Sequence, residues 1–149
     1  MWVIFEGLDK AGKTTLEWEF LKATNFKHMV IDRGPIGYMT FDELFDRSTK
    51  LGDQEFIHQA RKIMKSNDFM VVYCFANDEA VMQRLEEHNE ECSYDYKKAQ
   101  KLLRKNINRY YKKNKVLMLD TSSFTIEECV GLIVGKLKNM QWEVRQSEL

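Results

Sequence analysis

Hydrophobic positions fall into four short runs, separated by longer stretches of mixed polarity. The runs are Trp2-Val3-Ile4-Phe5, His28-Met29-Val30-Ile31-Asp32, Phe69 to Phe75 and Lys115 to Leu119. Runs of this length bounded by turn residues predict strands. Between them apolar residues recur at helical spacing. Thr15 to Leu21 predicts a helix with Leu16, Phe20 and Leu21 turned inward. Gly34, Pro35 and Gly37 break the pattern after the second run. Helices are expected over roughly 39–48 and 53–66, with Leu51-Gly52-Asp53 read as stop, turn and cap. Asn77 is placed to cap a helix running to about Glu87, and a polar stretch, His88 to Ser93, follows. A long basic helix is predicted from about Tyr94 to Lys113. Thr121-Ser122-Ser123 leads to a last helix from about Thr125 to Met140, with a frayed tail expected after Trp142.

Strands that are apolar on both faces and alternate with helices predict a parallel sheet covered on both sides, an α/β fold. No repeat, low-complexity tract or linker divides the 149 residues, so one domain spanning 1–149 is expected. Right-handed crossovers then predict four parallel strands in the order second, first, third, fourth. Ligands of such sheets bind at the carboxyl ends of strands. Asp9 to Thr14, Asp32-Arg33, Asn77 and Asp120-Thr121 follow the first, second, third and fourth runs in turn. Their shared position predicts one site across the top of the sheet.

The first of these segments carries the most specific chemistry. Gly7-Leu8-Asp9-Lys10-Ala11-Gly12-Lys13-Thr14 completes the phosphate-loop pattern G-x-x-x-x-G-K-S/T, between a strand and a helix start. Backbone N–H groups from Gly7 to Thr15 and the helix N-terminus are suited to phosphate oxygens. Lys13 is placed for the β- and γ-phosphates, and the Thr14 hydroxyl for Mg²⁺. Asp32, closing an apolar strand, is the second candidate Mg²⁺ residue, or a general base on an attacking hydroxyl. Arg33 offers a planar fork for a bidentate phosphate clamp. The plain alternative for both is a strand-end ion pair. Lys10 is placed to neutralise charge on a transferring phosphoryl group, with Asp9 beside it; otherwise both are solvated loop charges.

The segment at about 86–94 reads as a short lid. It holds Glu86, Glu87, Glu90 and Glu91 and no Lys or Arg after Arg84, so Arg84 is the candidate cation facing a nucleotide. The acidic run itself is most simply solvated. In the helix beyond it, Lys97, Lys101, Arg104 and Lys105 share a face, while Tyr96, Leu103, Ile107 and Tyr110 are candidates for the inner one. That basic face is either solvated or a stripe for a polyanion such as DNA.

Bulk properties narrow the class further. The formal net charge is zero, so no global charge demands nucleic acid. Cys74, Cys92 and Cys129 have no paired spacing, which argues against a disulfide framework and a zinc site. His28, His58 and His88 are isolated. The first strand begins at once and holds Glu6, which argues against a signal peptide, and no apolar stretch approaches membrane-spanning length. The expected setting is soluble, reducing and cytoplasmic.

On these motifs the chain resembles the thymidylate kinases. Phe5 to Thr15, Asp32-Arg33, Phe69 to Leu85, Tyr94-Asp95 and Met118 to Ser122 with Thr125 to Glu128 carry the likeness. The resemblance implies a P-loop α/β/α fold with a short lid, ATP and Mg²⁺ as cofactors, and adenine contacts from the loop holding Asp120 and Thr121. One departure is large. In that family an extra strand and a helix that bind the acceptor precede the Asp-Arg strand, whereas here only positions 14 to 31 intervene. The donor half of the resemblance therefore transfers and the acceptor half does not. Such a compact kinase is similar to those of bacteriophages, which would place it in the cytoplasm of a host cell. The expected activity is γ-phosphoryl transfer from ATP to a deoxynucleoside monophosphate, led by pyrimidines. A deoxynucleoside or a hydroxyl on DNA, at a 5′ end or on a hydroxymethylated base, is the alternative acceptor. A non-catalytic nucleotide switch is the remaining class. Guanine recognition of the N-K-x-D type fails, because Asn114-Lys115-Val116 is followed by Leu117. Expected partners are ATP and a nucleotide or DNA acceptor, with no membrane; a homodimer is left open.

Overall fold

The structure, a computed structural model, describes residues 1–147. Four strands, β1 (Trp2–Glu6), β2 (Met29–Asp32), β3 (Phe69–Phe75) and β4 (Val116–Asp120), form one sheet. All three pairings are parallel and the order is β2-β1-β3-β4, as the crossover rule predicts. The central strands β1 and β3 are buried along most of their length, while the edge strands are half exposed.

Among the described residues six α-helices complete the layers, α1 (Lys13–Ala23), α2 (Pro35–Leu44), α3 (Lys50–Lys65), α4 (Asp78–Glu87), α5 (Tyr96–Tyr110) and α6 (Ile126–Ser147), with one turn of 3-10 helix at Lys113–Lys115 before β4. Alternation along the strands sends their side chains to two separate cores. Val3, Phe5, Val72 and Cys74 pack with Leu16 and Phe20 of α1 and Ile133 and Leu137 of α6. Ile4, Val71 and Tyr73 pack with Ile36 and Met39 of α2, Ile63 of α3, and Leu103 and Ile107 of α5. None of the described helices is long and apolar enough to cross a membrane.

Several helix boundaries differ from expectation. α2 starts at Pro35, not near 39, because proline serves as the first helical residue, where no N–H is needed. α3 starts at Lys50, so Leu51-Gly52-Asp53 lies inside it and is neither a stop nor a cap. Thr49 is the cap, its Oγ1 accepting the Gly52 N–H at 3.0 Å. α5 starts at Tyr96, two residues later than expected, with Asp95 capping it through the Lys98 N–H. α6 runs past Trp142 to Ser147, and the rest of the tail expected to fray, 148–149, lies outside the described residues. The segment between β1 and β2 holds only α1 and a tight turn through Asn25 and Phe26, both in left-handed conformation.

Candidate active site

β1 delivers the chain into a turn from Gly7 to Gly12, and α1 begins at Lys13. Gly12 is the helix N-cap at φ 86°, in the left-handed region that glycine tolerates without strain. It brings no side chain to cap the helix, so the first-turn N–H groups stay available to an anion. A cavity of about 610 Å³ opens over this turn. Leu8, Asp9, Lys10, Gly12, Lys13, Thr14 and Thr15 line it, whereas Gly7 and Ala11 do not. Thr121, Phe124 and Ile126 line it on the β4–α6 side, together with Arg84 of α4 and His88 at the C-cap of that helix.

Arg84 ties these walls together. Nη1 donates to the Lys10 carbonyl at 2.7 Å and to Thr121 Oγ1 at 3.2 Å, and Nη2 donates to the Thr121 carbonyl at 3.2 Å. The guanidinium is therefore a fixed plate at the cavity wall. Thr121 in turn donates to the Ala11 carbonyl at 2.8 Å, joining the β4–α6 loop to the phosphate loop. Asp120 does not line the cavity. Its carboxylate accepts from the Ser122 amide and from the Ser122 and Ser123 hydroxyls, shaping its own loop. Burial opposes ionisation there, but these bonds hold the Asp120 pKa below its ordinary value.

Lys13 is almost fully buried, and its Nζ lies 3.3 Å from Asp32 Oδ1. Burial acts to raise the Asp32 pKa. The Lys13 charge and a hydrogen bond from Glu17 outweigh it, and Asp32 sits below its ordinary value. Glu17 is one helical turn after Lys13 on α1. Its carboxyl is pushed up to about 8, by burial first and by the Asp32 charge second, so at neutral pH it holds a proton toward Asp32. The exposed Thr14 hydroxyl and the exposed Asp32 carboxylate are hard oxygen donors, the chemistry that Mg²⁺ prefers, though among the described residues no cluster of three or more His, Cys, Asp or Glu surrounds them.

Arg33 adopts φ 65°. Its guanidinium lies 4.3 Å over the Phe41 ring, 5.6 Å from the Tyr38 ring and 3.6 Å from Asp9 Oδ1. Its Nε is buried with no partner. Asp9 also accepts from the Tyr94 hydroxyl at 3.3 Å. Lys10, also left-handed at φ 63°, pairs with Glu90 of the lid at 2.9 Å. The acidic run is therefore not simply solvated: one of its members holds the candidate catalytic cation. The structure thus brings Lys13, Asp32, Arg33, Asp9, Lys10, Thr14 and Arg84 around one site and leaves Asp120 at its margin.

Sequence reasoning missed Glu17 and the lid contacts of Glu90 and Tyr94. Glu17 had one visible signal, its four-residue offset from Lys13, which places both on one helix face. The basic face of α5 is exposed from Lys97 to Arg109. Lys97 pairs with Asp78 at 3.4 Å, and Arg104 lies 4.6 Å over the Phe75 ring.

No protein-family model matches the sequence. No curated protein is recovered by sequence similarity. Solved structures do match. The YorR protein of Bacillus subtilis, solved with phosphorylated GDP, superposes with a TM-score of 0.72 at 16% identity, covering 93% of this chain and 96% of that one. A deoxyadenosine kinase from M. mycoides with bound dCTP gives 0.61 at 13% identity, covering 93% and 100%. A thymidylate kinase from Candida albicans gives 0.50 at 11% identity, covering 99% and 91%. The fold is that of the P-loop nucleotide kinases. Within that fold the phosphate loop and the segment from Glu90 to Tyr94 line the same cavity, while Asp32 and Arg33 stand outside its lining and reach it through Lys13 and Asp9.

Proposed function

We propose that this chain is an ATP- and Mg²⁺-dependent phosphotransferase that moves the γ-phosphoryl group of ATP to a deoxynucleoside monophosphate. The observation that carries this reading is the arrangement Lys13–Asp32–Arg33. A buried lysine on the phosphate loop touches a carboxylate, and the next residue presents a guanidinium beyond it. The neighbouring folds support the class, since the deoxyadenosine kinase was solved with dCTP and with dATP.

The donor would lie in the cavity, its phosphates on the N–H groups of the loop and its base toward Thr121, Phe124 and the Arg84 plate. Mg²⁺, held by Thr14 and Asp32 with Glu17 behind, would neutralise phosphate charge when bound. Lys13 holds the transferring group, and Lys10 joins it after leaving Glu90. Arg33 orients the acceptor. The rate gain comes from positioning and charge complementarity rather than from covalent chemistry on the protein. The depressed pKa of Asp32 argues for a monophosphate acceptor, whose oxygen is already ionised. A carboxylate pinned by Lys13 is a weak base for a neutral hydroxyl.

The test is transfer of γ-labelled phosphate from ATP to deoxynucleoside monophosphates, deoxynucleosides, and oligonucleotides with and without hydroxymethylated bases. Labelled deoxynucleoside diphosphate is the expected product. Transfer only to a DNA hydroxyl or a nucleoside would replace the acceptor assignment, and no transfer to any acceptor would leave a nucleotide-binding switch.

A further inference from the structure

Glu6 ends β1, one residue before the phosphate loop, and is fully buried. It is not among the residues lining the cavity. Its carboxylate points to the start of α2 instead. Oε1 accepts the Gly34 N–H at 2.8 Å and the Gly37 N–H at 3.2 Å. Oε2 accepts the Gly37 N–H at 3.0 Å and the Tyr111 hydroxyl at 3.0 Å.

These bonds occupy the places a helix cap normally fills. The N-cap of α2 is Gly34, which has no side chain to offer, and Pro35 follows with no N–H. Gly37 is the third helical residue, whose N–H an N-cap serine or aspartate would usually satisfy. Glu6 supplies that acceptor from a neighbouring strand.

The residue just before this cap is Arg33. Its φ of 65° is a conformation that a non-glycine residue holds only when its surroundings fix it. On one side the Arg33 N–H donates to the Phe5 carbonyl at 2.9 Å. On the other, Glu6 grips the Gly34 N–H. The packing leaves no slack. A Cβ on Gly37 would come 2.5 Å from Glu6 Oε1 and 2.9 Å from Arg33 Cγ, and one on Gly34 would come 3.1 Å from Glu6 Cδ. The buried carboxylate, two glycines and the stem of Arg33 thus form one contact set.

We propose that Glu6 is a positioning residue: from inside the protein it caps α2 and locks the left-handed turn at Arg33, so that the guanidinium meets the acceptor's phosphate already oriented. The proposal rests on the reading of Arg33 as the acceptor clamp. Tyr111, at the C-terminal end of α5, extends the same set and braces the carboxylate from below. A glutamate that served only to hold the fold together would affect donor and acceptor alike, whereas a positioning residue acts on the acceptor alone.

Glu6→Ala, Glu6→Gln and Tyr111→Phe separate these cases. Deoxynucleoside monophosphate KM and kcat, ATP Kd by calorimetry, and NMR of the Gly34 and Gly37 amides and the Arg33 Nε–H are measured on each. In Glu6→Ala the acceptor KM is expected to rise by about 10- to 100-fold, the scale of a misplaced orienting group, with ATP Kd within about twofold. The Gly34 and Gly37 amides should exchange faster and the Arg33 Nε–H should shift. Glu6→Gln keeps one oxygen for both amides and should restore most of the acceptor affinity. If Glu6→Ala does not fold, Tyr111→Phe carries the test, with a smaller rise in acceptor KM and unchanged ATP Kd. Folded variants with a wild-type acceptor KM, or with acceptor KM and ATP Kd weakened together, overturn the proposal. Should the wild type transfer phosphate to no monophosphate, the proposed function fails, and the NMR signals still decide. Unchanged Gly34, Gly37 and Arg33 resonances in Glu6→Ala would then overturn the cap as well.

Discussion

Lys13 lies where three carboxyl groups feel one positive charge: Asp32 at 3.3 Å, and Glu17 and Glu6 behind it. Its loss should therefore act on chemistry more than on shape. Lys13→Ala is expected to lower kcat/KM by about 10²–10³-fold, the scale of removing a donor to developing charge, with a native circular dichroism spectrum. Near wild-type turnover with any acceptor would sink the phosphate-loop reading. Asp32 and Arg33 divide the acceptor classes. With a monophosphate acceptor, Arg33→Lys should raise the acceptor KM markedly, because the planar fork over Phe41 is lost. Asp32→Asn should act through Mg²⁺ and recover in part at higher Mg²⁺. A fall in kcat of about 10²–10⁴-fold without Mg²⁺ rescue would instead identify Asp32 as a general base. Kinetics of both variants across Mg²⁺ concentrations read the difference. The proximity of Lys13 to Asp32-Arg33 was legible in the sequence because a motif and a strand end placed them. Glu17 and Glu90 were not, because each acts through a partner on another segment that no local pattern names.

At the level of elements, the lid is joined to the phosphate loop at two points, Lys10–Glu90 and Tyr94–Asp9. Glu90 is half exposed, so its pair is worth only about 0.2–1 kcal/mol to the fold. Its effect on binding should be larger, since the carboxylate sits beside the loop that receives phosphate charge. Glu90→Gln is expected to leave the melting temperature nearly unchanged and to tighten ATP binding by about three- to tenfold at low salt, with the gain shrinking as salt is raised. Calorimetric titration at two ionic strengths measures it, and weaker ATP binding in the variant would make Glu90 a contributor to the donor site. The helix boundaries show where pattern reading ran short. Gly34-Pro35 looked like a break because proline ends helices, yet it also opens them. Gly52 looked like a stop because its cap, Thr49, lies three residues upstream in a polar stretch without hydrophobic periodicity.

For the whole molecule, strand order and the two-faced core were legible because apolar runs and right-handed crossovers leave few ways to arrange four strands. The arrangement of α2 and α3 was not, because they take their places from long-range packing and from Glu6, a residue whose partners stand 28 to 105 positions away. That buried carboxyl also sets how global stability follows pH. Burial pushes Glu6 up to about 7, against the bonds from Tyr111, Gly34 and Gly37 and the Lys13 charge, from an ordinary value of 4.5. Between those two values the folded protein keeps a proton that the unfolded chain has released. The Glu6 contribution to stability therefore falls as pH rises from 4.5 to 7 and levels off above, by about 3 kcal/mol, while Glu17, pushed up to about 8, adds a further fall that extends to about pH 8. Glu6→Gln has no proton to lose at this position, and Glu17 titrates alike in both proteins, so its part cancels in the difference. The melting temperature of Glu6→Gln relative to wild type should thus climb between pH 4.5 and pH 8 by roughly 6–12 °C for a chain of this size. Parallel melting profiles across that range would mean that Glu6 in the folded protein titrates no higher than its ordinary value of 4.5, and that its cap on α2 is carried by a carboxylate at neutral pH.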